Sequence, residues 1–439
     1  MQNDAPPHAV PLSYAQERQF THRAGGLPDV ALQSAFRIDG PLQVPMFVDA
    51  LNRVVNRHEA LRLRVAEDSL GIPRQWVVAP GTVRDLVRLT AVNARSDEQF
   101  GTYAGRVRAV SRNLPWLPSE EPPFRFTLLR RSPELHAFLA DFSPLAVDGR
   151  SRSIFSADLW ATYAAVAAGR PVDPDRPTGD LLATVSRQRA KYDQRSRTVN
   201  HDYWARKFRS LHRAGQGPVH ADGETTAADC HTRAIALHPA ALARIRRELV
   251  RTGSSLFQWV ASRFAAEVFR RTSRPELATL VPMDTRAPGD RMVMGKFAAL
   301  FPLLIACSGN PDEILQSVKD EIMTTMRHRH ISDDDFRRAG GTAVLTPARG
   351  AVHLRSDIHP SEEWEGLPEG LHVTQKAFTG QERFICDGLN LTIEEFADRA
   401  RLVLDYDPRD HTAADADDFA RTLATAVYGS TTSVARPTT

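Results

Sequence analysis

Cysteine is scarce in this chain, with only Cys230, Cys307 and Cys386 among its 439 residues. The three are far apart and form no CxxC pair, so the sequence indicates neither a disulfide framework nor a zinc site. No apolar run approaches the ~18 residues that a membrane-spanning helix needs, and residues 1–12 lack the basic and apolar segments of a signal peptide. The chain is therefore expected in the reducing cytoplasm, without membrane contact.

An excess of charge of either sign is also missing. Lys and Arg number 56 against 53 Asp and Glu, a net charge of +3, which is too small to indicate nucleic acid or a membrane surface as a partner. No GxGxxG, Walker or HExxH pattern indicates a nucleotide or a metal, so no bound cofactor is expected. No GxSxG pattern occurs, which argues against a hydrolase of the serine class.

What the sequence does contain is a central strand that leads into a short loop. Leu135–Phe142 carries apolar residues on both faces, as expected for a strand inside a sheet. Ser143 and Pro144 end the strand, because proline has no N–H for the ladder. Asp148 and Gly149 then make a turn, and a helix follows. Such a loop is a usual mount for reactive side chains, although a plain buried strand with an Asp-Gly turn explains the pattern as well.

This loop resembles the signature of the condensation domains of nonribosomal peptide synthetases, HHxxxDG. In this chain the window reads Ser143-Pro144-Leu145-Ala146-Val147-Asp148-Gly149. The Asp-Gly half of the signature is present, and the two histidines are not. The second histidine, usually taken as the catalytic one in the family, corresponds to Pro144.

Three further stretches resemble motifs of the same family. Residues 11–20, PLSYAQERQF, match the opening LSxAQxR motif, and Ser13 is expected to cap a helix that begins near Tyr14. Residues 57–62, RHEALR, match RHExLR almost letter for letter, although in isolation Arg57, His58 and Glu59 would be interpreted as a solvated, mutually paired face. The third match is an Arg followed by a Gly-x-Phe, held here by Arg286, Gly295 and Phe297.

The resemblance runs from residue 11 to about 430 and implies an α/β fold. Condensation domains consist of two lobes, each similar to chloramphenicol acetyltransferase, arranged as a V with a central tunnel and the motif loop at its middle. The stretch GRPVDPDRPTGD, rich in Pro, Gly and Asp, predicts the boundary near residue 175. The N-terminal lobe is then 1–175 and the C-terminal lobe 176–439.

The resemblance also implies roles for single residues. Asp148 is expected to pair with Arg286 across the junction of the lobes and to hold the loop rather than act as a base, because a buried carboxylate without a partner is costly. Arg62 is the other structural residue. The catalytic candidates are Ser143, Asp148 and Gly149 of the motif loop. The candidates for lining the tunnel are His136, Gly295, Phe297 and His353.

The implied function is that of a freestanding condensation-type acyltransferase of natural-product biosynthesis that lacks the usual catalytic histidine. It would join a carrier-bound acyl group to an amine or hydroxyl acceptor, with the phosphopantetheine arm of a peptidyl or acyl carrier protein as substrate carrier. The alternative is a catalytically silent scaffold that binds carrier proteins or recruits a tailoring enzyme. Ser143, Asp148 and Ser151 also have the spacing of the heterocyclisation motif DxxxxDxxS, with Ser in place of the first Asp, but the second-lobe motifs do not follow that subfamily.

Overall fold

The computed structural model describes residues 5–25, 29–172, 178–192, 194–213, 231–308, 310–341, 352–358, 364, 366–375, 389–396 and 399–428. The helices are α1 Tyr14–Ala24, α2 Val44–Arg57, α3 Asp97–Arg112, α4 Gly149–Ala167, α5 Leu181–Ala190, α6 Gln194–Arg213, α7 Pro239–Thr252, α8 Leu256–Thr272, α9 Pro311–Arg327, α10 Asp333–Arg338 and α11 Ala413–Tyr428. The strands are β1 Val10–Pro11, β2 Leu32–Asp39, β3 Leu63–Glu67, β4 Pro73–Val77, β5 Val87–Ala91, β6 Phe124–Ser132, β7 Leu135–Phe142, β8 His231–Leu237, β9 Glu276–Asp284, β10 Ala298–Ala306, β11 Val352–Ile358, β12 His372–Gln375, β13 Leu389–Glu395 and β14 Ala400–Tyr406. None of the helices in these ranges is both long and apolar enough to cross a membrane.

The chain forms two compact units. Unit 1 comprises Met1–Lys191, Arg286–Ala298 and Pro360–Glu382, and unit 2 comprises the remaining residues. The predicted boundary near residue 175 differs from this division, because α5 belongs to unit 1 and two later segments return to it. Leu181 explains the position of α5, since its side chain is buried in the main hydrophobic core of unit 1.

Unit 1 is built around β7, as the sequence predicted. Its five-stranded sheet has the order β12-β2-β7-β6-β5, and all eight residues of β7 are buried. Phe138 faces the side covered by α2 and α4, where its ring lies 5.0 Å from that of Phe47. Leu139 faces the opposite side and packs in the cluster that contains Phe100 of α3. A separate three-stranded sheet, β1-β4-β3, completes the unit.

Among its described residues, unit 2 has a six-stranded sheet of order β10-β9-β11-β13-β14-β8. β13 and β14 form an antiparallel pair, with Leu391 opposite Leu404. Trp204 of α6 is fully buried and stacks on Phe301 of β10 at a ring distance of 5.5 Å. Helices α8 and α11 meet through Phe264 and Phe419.

Candidate functional site

The motif loop, residues 143–149, begins with a tight turn. The N–H groups of Ala146 and Val147 both donate to the Ser143 carbonyl, at 3.0 and 3.1 Å. The Ser143 hydroxyl accepts a hydrogen bond from the N–H of Leu145 at 3.3 Å. Pro144 occupies the second position of this turn, where its fixed φ is favourable and no N–H is needed. The loop is buried except for Gly149, which is exposed at the first position of α4.

Asp148 connects the loop to α4 as its N-cap. Its Oδ1 accepts from the N–H and the hydroxyl of Ser151 at 2.9 and 2.8 Å, the bonds expected of a capping carboxylate. Its Oδ2 accepts from the backbone N–H groups of Phe297 and Ala298, both at 3.0 Å. The carboxylate therefore ties the motif loop to a segment that lies about 150 residues later in the sequence.

Arg286 completes the environment of this carboxylate. Its Nη1 donates to Oδ2 of Asp148 at 2.8 Å and its Nη2 to Oδ1 at 3.1 Å, a two-pronged ion pair. The guanidinium also donates to the carbonyls of Val293 and Gly295, both at 2.9 Å, and lies 4.5 Å from the centre of the Phe297 ring. The predicted pair is thus present. It was expected across the junction of two lobes, but Arg286 belongs to unit 1 with Asp148, so the pair is internal to that unit.

The electrostatics of Asp148 fit a structural role. Burial alone would raise the pKa of the carboxyl, but the charge and hydrogen bonds of Arg286, with the N–H groups of Ser151 and Phe297, hold that pKa well below its usual range. Six donor contacts surround a group with about four acceptor sites, so no lone pair is left for a substrate proton.

Ser151 joins the two sides of this arrangement. Its hydroxyl accepts from the N–H of Gly295 at 3.0 Å and from Nη2 of Arg286 at 3.0 Å, and it also lies 2.9 Å from the Gly295 carbonyl. From the sequence, Ser151 was noted only for the spacing of the heterocyclisation motif. Its contacts with Gly295 and Arg286 were not predicted. The available signal was the interval Asp148-x-x-Ser151 at the start of a helix, which is typical of capping.

Gly295 and Phe297 do not line open space, contrary to the prediction. Phe297 has no accessible surface and packs beneath Arg286. A Cβ on Gly295 would lie 2.5 Å from the Phe297 ring and 2.6 Å from Leu181 Cδ1, so only glycine fits there without displacing its neighbours. Both residues are packing elements of the Asp148 environment.

His136, another candidate for lining the tunnel, does not lie near the motif loop. It lies at the start of β7, seven residues before Ser143, and the rise of a strand separates the two by roughly 23 Å. Its side chain is 1% exposed, and both ring nitrogens are buried without a hydrogen-bond partner in the described chain. Burial, and then the charge of Arg130, lower the pKa of His136 to about 4, so the imidazole is neutral. His353 lies on β11 of unit 2, opposite Asn390, and its side chain is outside the described residues.

The RHEALR motif is structural and buried rather than a solvated face. Arg57 Nη1 and His58 Nε2 lie 2.6 and 2.9 Å from the two carboxylate oxygens of Asp158 in α4. Glu59 Oε2 accepts from the N–H groups of Leu181 and Leu182 at 2.8 and 3.2 Å, which adds a second cap to α5. These partners are about 100 residues or more away in sequence, so the local pattern could not reveal them.

Arg62 ends the same motif. It is 6% exposed, and its Nη1 donates to the carbonyl of Val78, which ties the turn after α2 to the end of β4. The predicted structural position of Arg62 agrees with this geometry.

Ser143 also lines a small, partly open apolar pocket with room for about one water molecule. Leu145 of the loop forms one wall, and Leu63, Trp116 and Pro123 are among the residues that face it. Of the three catalytic candidates, Ser143 borders this space, Asp148 is enclosed by its partners, and Gly149 lies at the surface.

A family model described as Condensation domain matches residues 7–337 of this chain. The chain belongs to this family. It is 24% identical over 371 residues to the isonitrile lipopeptide synthase of Streptomyces coeruleorubidus, a match that covers 80% of the chain and 24% of the synthase. The chain thus spans about a quarter of the length of this synthase, and the comparison adds no activity of the whole synthase to the family membership.

Solved structures agree on the fold. The first condensation domain of the CDA synthetase superposes with a TM-score of 0.73 at 19% identity, covering 97% of each chain. The X-domain from teicoplanin biosynthesis, solved in complex with OxyB, gives a TM-score of 0.72 at 20% identity over 97% of this chain and 94% of that one. The expectation of an α/β fold with two lobes similar to chloramphenicol acetyltransferase is confirmed.

Proposed function

We propose that this condensation domain is an acyltransferase that joins a carrier-bound acyl group to an amine or hydroxyl acceptor without a catalytic histidine. The observation that carries the proposal is the intact support of the motif loop. Asp148, Arg286 and Ser151 keep the loop in one geometry although Pro144 stands where the family has its histidine. Burying charged and polar groups costs desolvation free energy even when the groups satisfy one another. Here these groups position the loop that the family uses for acyl transfer.

The reaction requires little from the protein beyond positioning. The acceptor nitrogen or oxygen attacks the thioester carbonyl, the new C–N or C–O bond forms, the C–S bond breaks, and the carrier thiol leaves with the proton. Holding both reactants in line supplies about 7–11 kcal/mol of the barrier lowering in favourable cases. A histidine acting as general base typically adds about 10²–10⁴-fold in rate. An acceptor amine that arrives deprotonated reacts without that contribution.

The proposal takes the phosphopantetheine arm of a peptidyl or acyl carrier protein as the substrate carrier, in the cytoplasm. Ser143, next to Pro144, borders the apolar pocket together with Leu145 and Ala146, and its hydroxyl is the polar side-chain group of the loop there. In this proposal alignment of the two reactants carries the rate, and orientation of the acceptor by Ser143 is the alternative.

Intact-mass spectrometry of acyl-loaded carrier proteins tests the function directly. We expect that incubation with this protein and an amine acceptor removes the acyl mass from the carrier and yields an amide product at a rate above the protein-free control. Asp148→Ala, which disrupts the loop support, is the matched inactive variant. Transfer at the protein-free rate for every loaded carrier tried would contradict the proposal.

A second candidate function has one specific observation in its favour. Pro144 has no side-chain group that donates, accepts or titrates. A scaffold that holds a carrier-bound peptide for a tailoring enzyme needs no such group, and the similar X-domain has been solved in complex with OxyB. A pull-down with carrier proteins and with oxygenases encoded nearby separates the candidates, since a scaffold retains binding while the mass of the carrier stays unchanged.

A further inference from the structure

Helix α7 of unit 2 concentrates positive charge on one element of the fold. Its 14 residues include four arginines and one acidic residue, Glu248, so the helix carries a net charge of +3. The whole chain of 439 residues has the same net charge of +3. The charges of the other residues therefore balance one another, and the surplus of the chain equals that of α7.

The arginines of α7 lie on its solvent side. Leu242 and Ile245 are buried and hold the helix against the protein, whereas Arg244, Arg247 and Arg251 are exposed. Their spacing of three and four residues places these three side chains in one row, which runs about 10 Å along the helix. The outer face of α7 therefore presents a row of guanidinium groups to whatever approaches it.

Both ends of α7 are fixed. At the N-terminus, the N–H of Ala240 donates to Nδ1 of His238 at 3.3 Å. At the C-terminus, Gly253 adopts the left-handed conformation that commonly ends a helix. Lys319 Nζ of α9 donates to the carbonyl of Thr252 at 2.8 Å and adds a further cation at this end. A helix that is already ordered loses little conformational freedom when a partner binds to it.

An apolar strip runs beside the arginine row. Val250 is 84% accessible, which makes it the most exposed large apolar side chain in the part of the chain that the structure describes. It lies three residues after Arg247 and seven after Ala243, which is exposed as well, so the three share one side of the helix. Arginine beside an exposed apolar side chain is typical of protein–protein interfaces, where arginine is enriched and lysine is depleted.

We propose that the outer face of α7 is a docking surface for an acidic helix of a partner protein. Carboxylates of that helix pair with Arg247 and Arg251, and an apolar side chain between them covers Val250. Charge complementarity selects the acidic partner, and guanidinium groups bind carboxylates through two parallel hydrogen bonds. Arg251 already lies 2.8 Å from Glu248, but this ion pair is exposed, so a partner carboxylate replaces it at little cost.

Two other partners fit this face less well. The apolar side of α7 is buried in the protein, so the helix cannot turn that side toward a membrane. The backbone of a nucleic acid offers phosphates to the arginines but no apolar contact to Val250. A protein helix satisfies both the arginine row and the valine. The inference concerns a surface apart from the motif loop and does not depend on the proposed function.

The test measures binding of a labelled helical peptide to the whole protein by fluorescence anisotropy. The peptide presents glutamates on both sides of a leucine, and its isomer has the same composition with the leucine on the opposite face. We expect the parent to bind the peptide more tightly than the isomer, with an affinity that falls as salt rises. Arg247→Glu should weaken binding at least about tenfold, because attraction becomes repulsion. Val250→Ser should weaken it about three- to tenfold, because the apolar contact is lost. Arg209→Glu, at an exposed arginine of α6 in the same unit, should bind like the parent.

Any of three results would overturn the proposal. The first is a parent that does not bind the peptide, or that binds the isomer equally well, and this measurement needs no variant. The second is undiminished binding in Arg247→Glu, or in Arg247→Gln should the glutamate variant not fold. The third is a DNA duplex that binds as tightly as the peptide and is insensitive to Val250→Ser, which would assign the face to nucleic acid. Peptide binding is measured without turnover, so a failed transfer assay leaves this result intact, and the reverse also holds.

Discussion

Asp148 Oδ2 lies 2.8 Å from Arg286 Nη1, and the two side chains are 1% and 0% exposed. The ion pair is enclosed by N–H groups of Ser151, Phe297 and Ala298, so both oxygens of the carboxylate are satisfied. This relationship fixes the end of β7, the start of α4 and the segment before β10 in one arrangement. The contribution of this ion pair to the free energy of unfolding is the basis of the first two predictions.

Replacing Asp148 by Ala should destabilise unit 1 strongly. The substitution leaves the guanidinium of Arg286 buried without a counter-charge, which costs roughly 3–5 kcal/mol. Urea unfolding followed by tryptophan fluorescence measures the loss. The control is Asp49→Ala, which breaks the exposed pair with Arg53 and should cost only about 0.2–1 kcal/mol. Equal urea midpoints for Asp148→Ala and Asp49→Ala would show that the buried pair contributes no more to stability than the exposed pair.

The same pair predicts a dependence of stability on pH. The pKa of Asp148 in the folded protein lies well below the value of about 3.9 in the unfolded chain, so the unfolded state binds the proton more readily. The contribution of Asp148 is therefore complete at neutral pH and is lost as the pH falls from about 5 through the folded pKa. We expect the difference in unfolding free energy between the parent and Asp148→Asn to shrink over this range. A difference that stays constant from pH 7 to pH 3 would contradict the assignment.

The parts of the fold that could be predicted from sequence are those fixed by local physics. β7 and the Ser13 cap follow from residues within a few positions, and the cap is present as a reciprocal box between Ser13 and Gln16. Asp148 and Arg286 are 138 residues apart, so no local pattern predicts their ion pair. It could be predicted only because the motifs around both residues resemble those of one family.

The errors came from contacts that no local pattern encodes. Taken in isolation, His58 would be interpreted as part of a solvated face, but Asp158 of α4 binds it in the interior. The boundary near residue 175 assumed contiguous lobes, whereas Glu59 caps α5 and β12 joins the edge of β2, which brings later segments into unit 1.

Gly295→Ala should destabilise the support of the motif loop. The added methyl would meet the Phe297 ring at 2.5 Å and Leu181 Cδ1 at 2.6 Å, and overpacking of this kind costs about 1–3 kcal/mol. Gly149→Ala is the matched control, because nothing lies within 4 Å of a Cβ at that exposed position. Thermal unfolding of both variants checks the prediction, which fails if Gly295→Ala is as stable as Gly149→Ala.

Pro144→His and Ser143→Ala together decide how any transfer occurs. Alignment of the reactants is the contribution on which the proposal relies, because Pro144 has no side-chain group that donates, accepts or titrates. We therefore expect Pro144→His to raise the transfer rate or leave it near the parent value. Ser143→Ala should cost less than about tenfold, or under about 1.4 kcal/mol of barrier. Ser186→Ala, at an exposed serine of α5, controls for the removal of a hydroxyl.

Steady-state rates on a loaded carrier, beside a carrier pull-down, measure these variants. A loss of about 10–100-fold in Ser143→Ala alone would instead assign the orientation of the nucleophile to its hydroxyl, since that factor corresponds to about 1.4–2.7 kcal/mol. If parent, Pro144→His and Ser143→Ala all bind the carrier and none transfers the acyl group, the scaffold function replaces the acyltransferase. Pro144 would then mark the loss of chemistry from a loop whose support by Asp148 and Arg286 still serves binding.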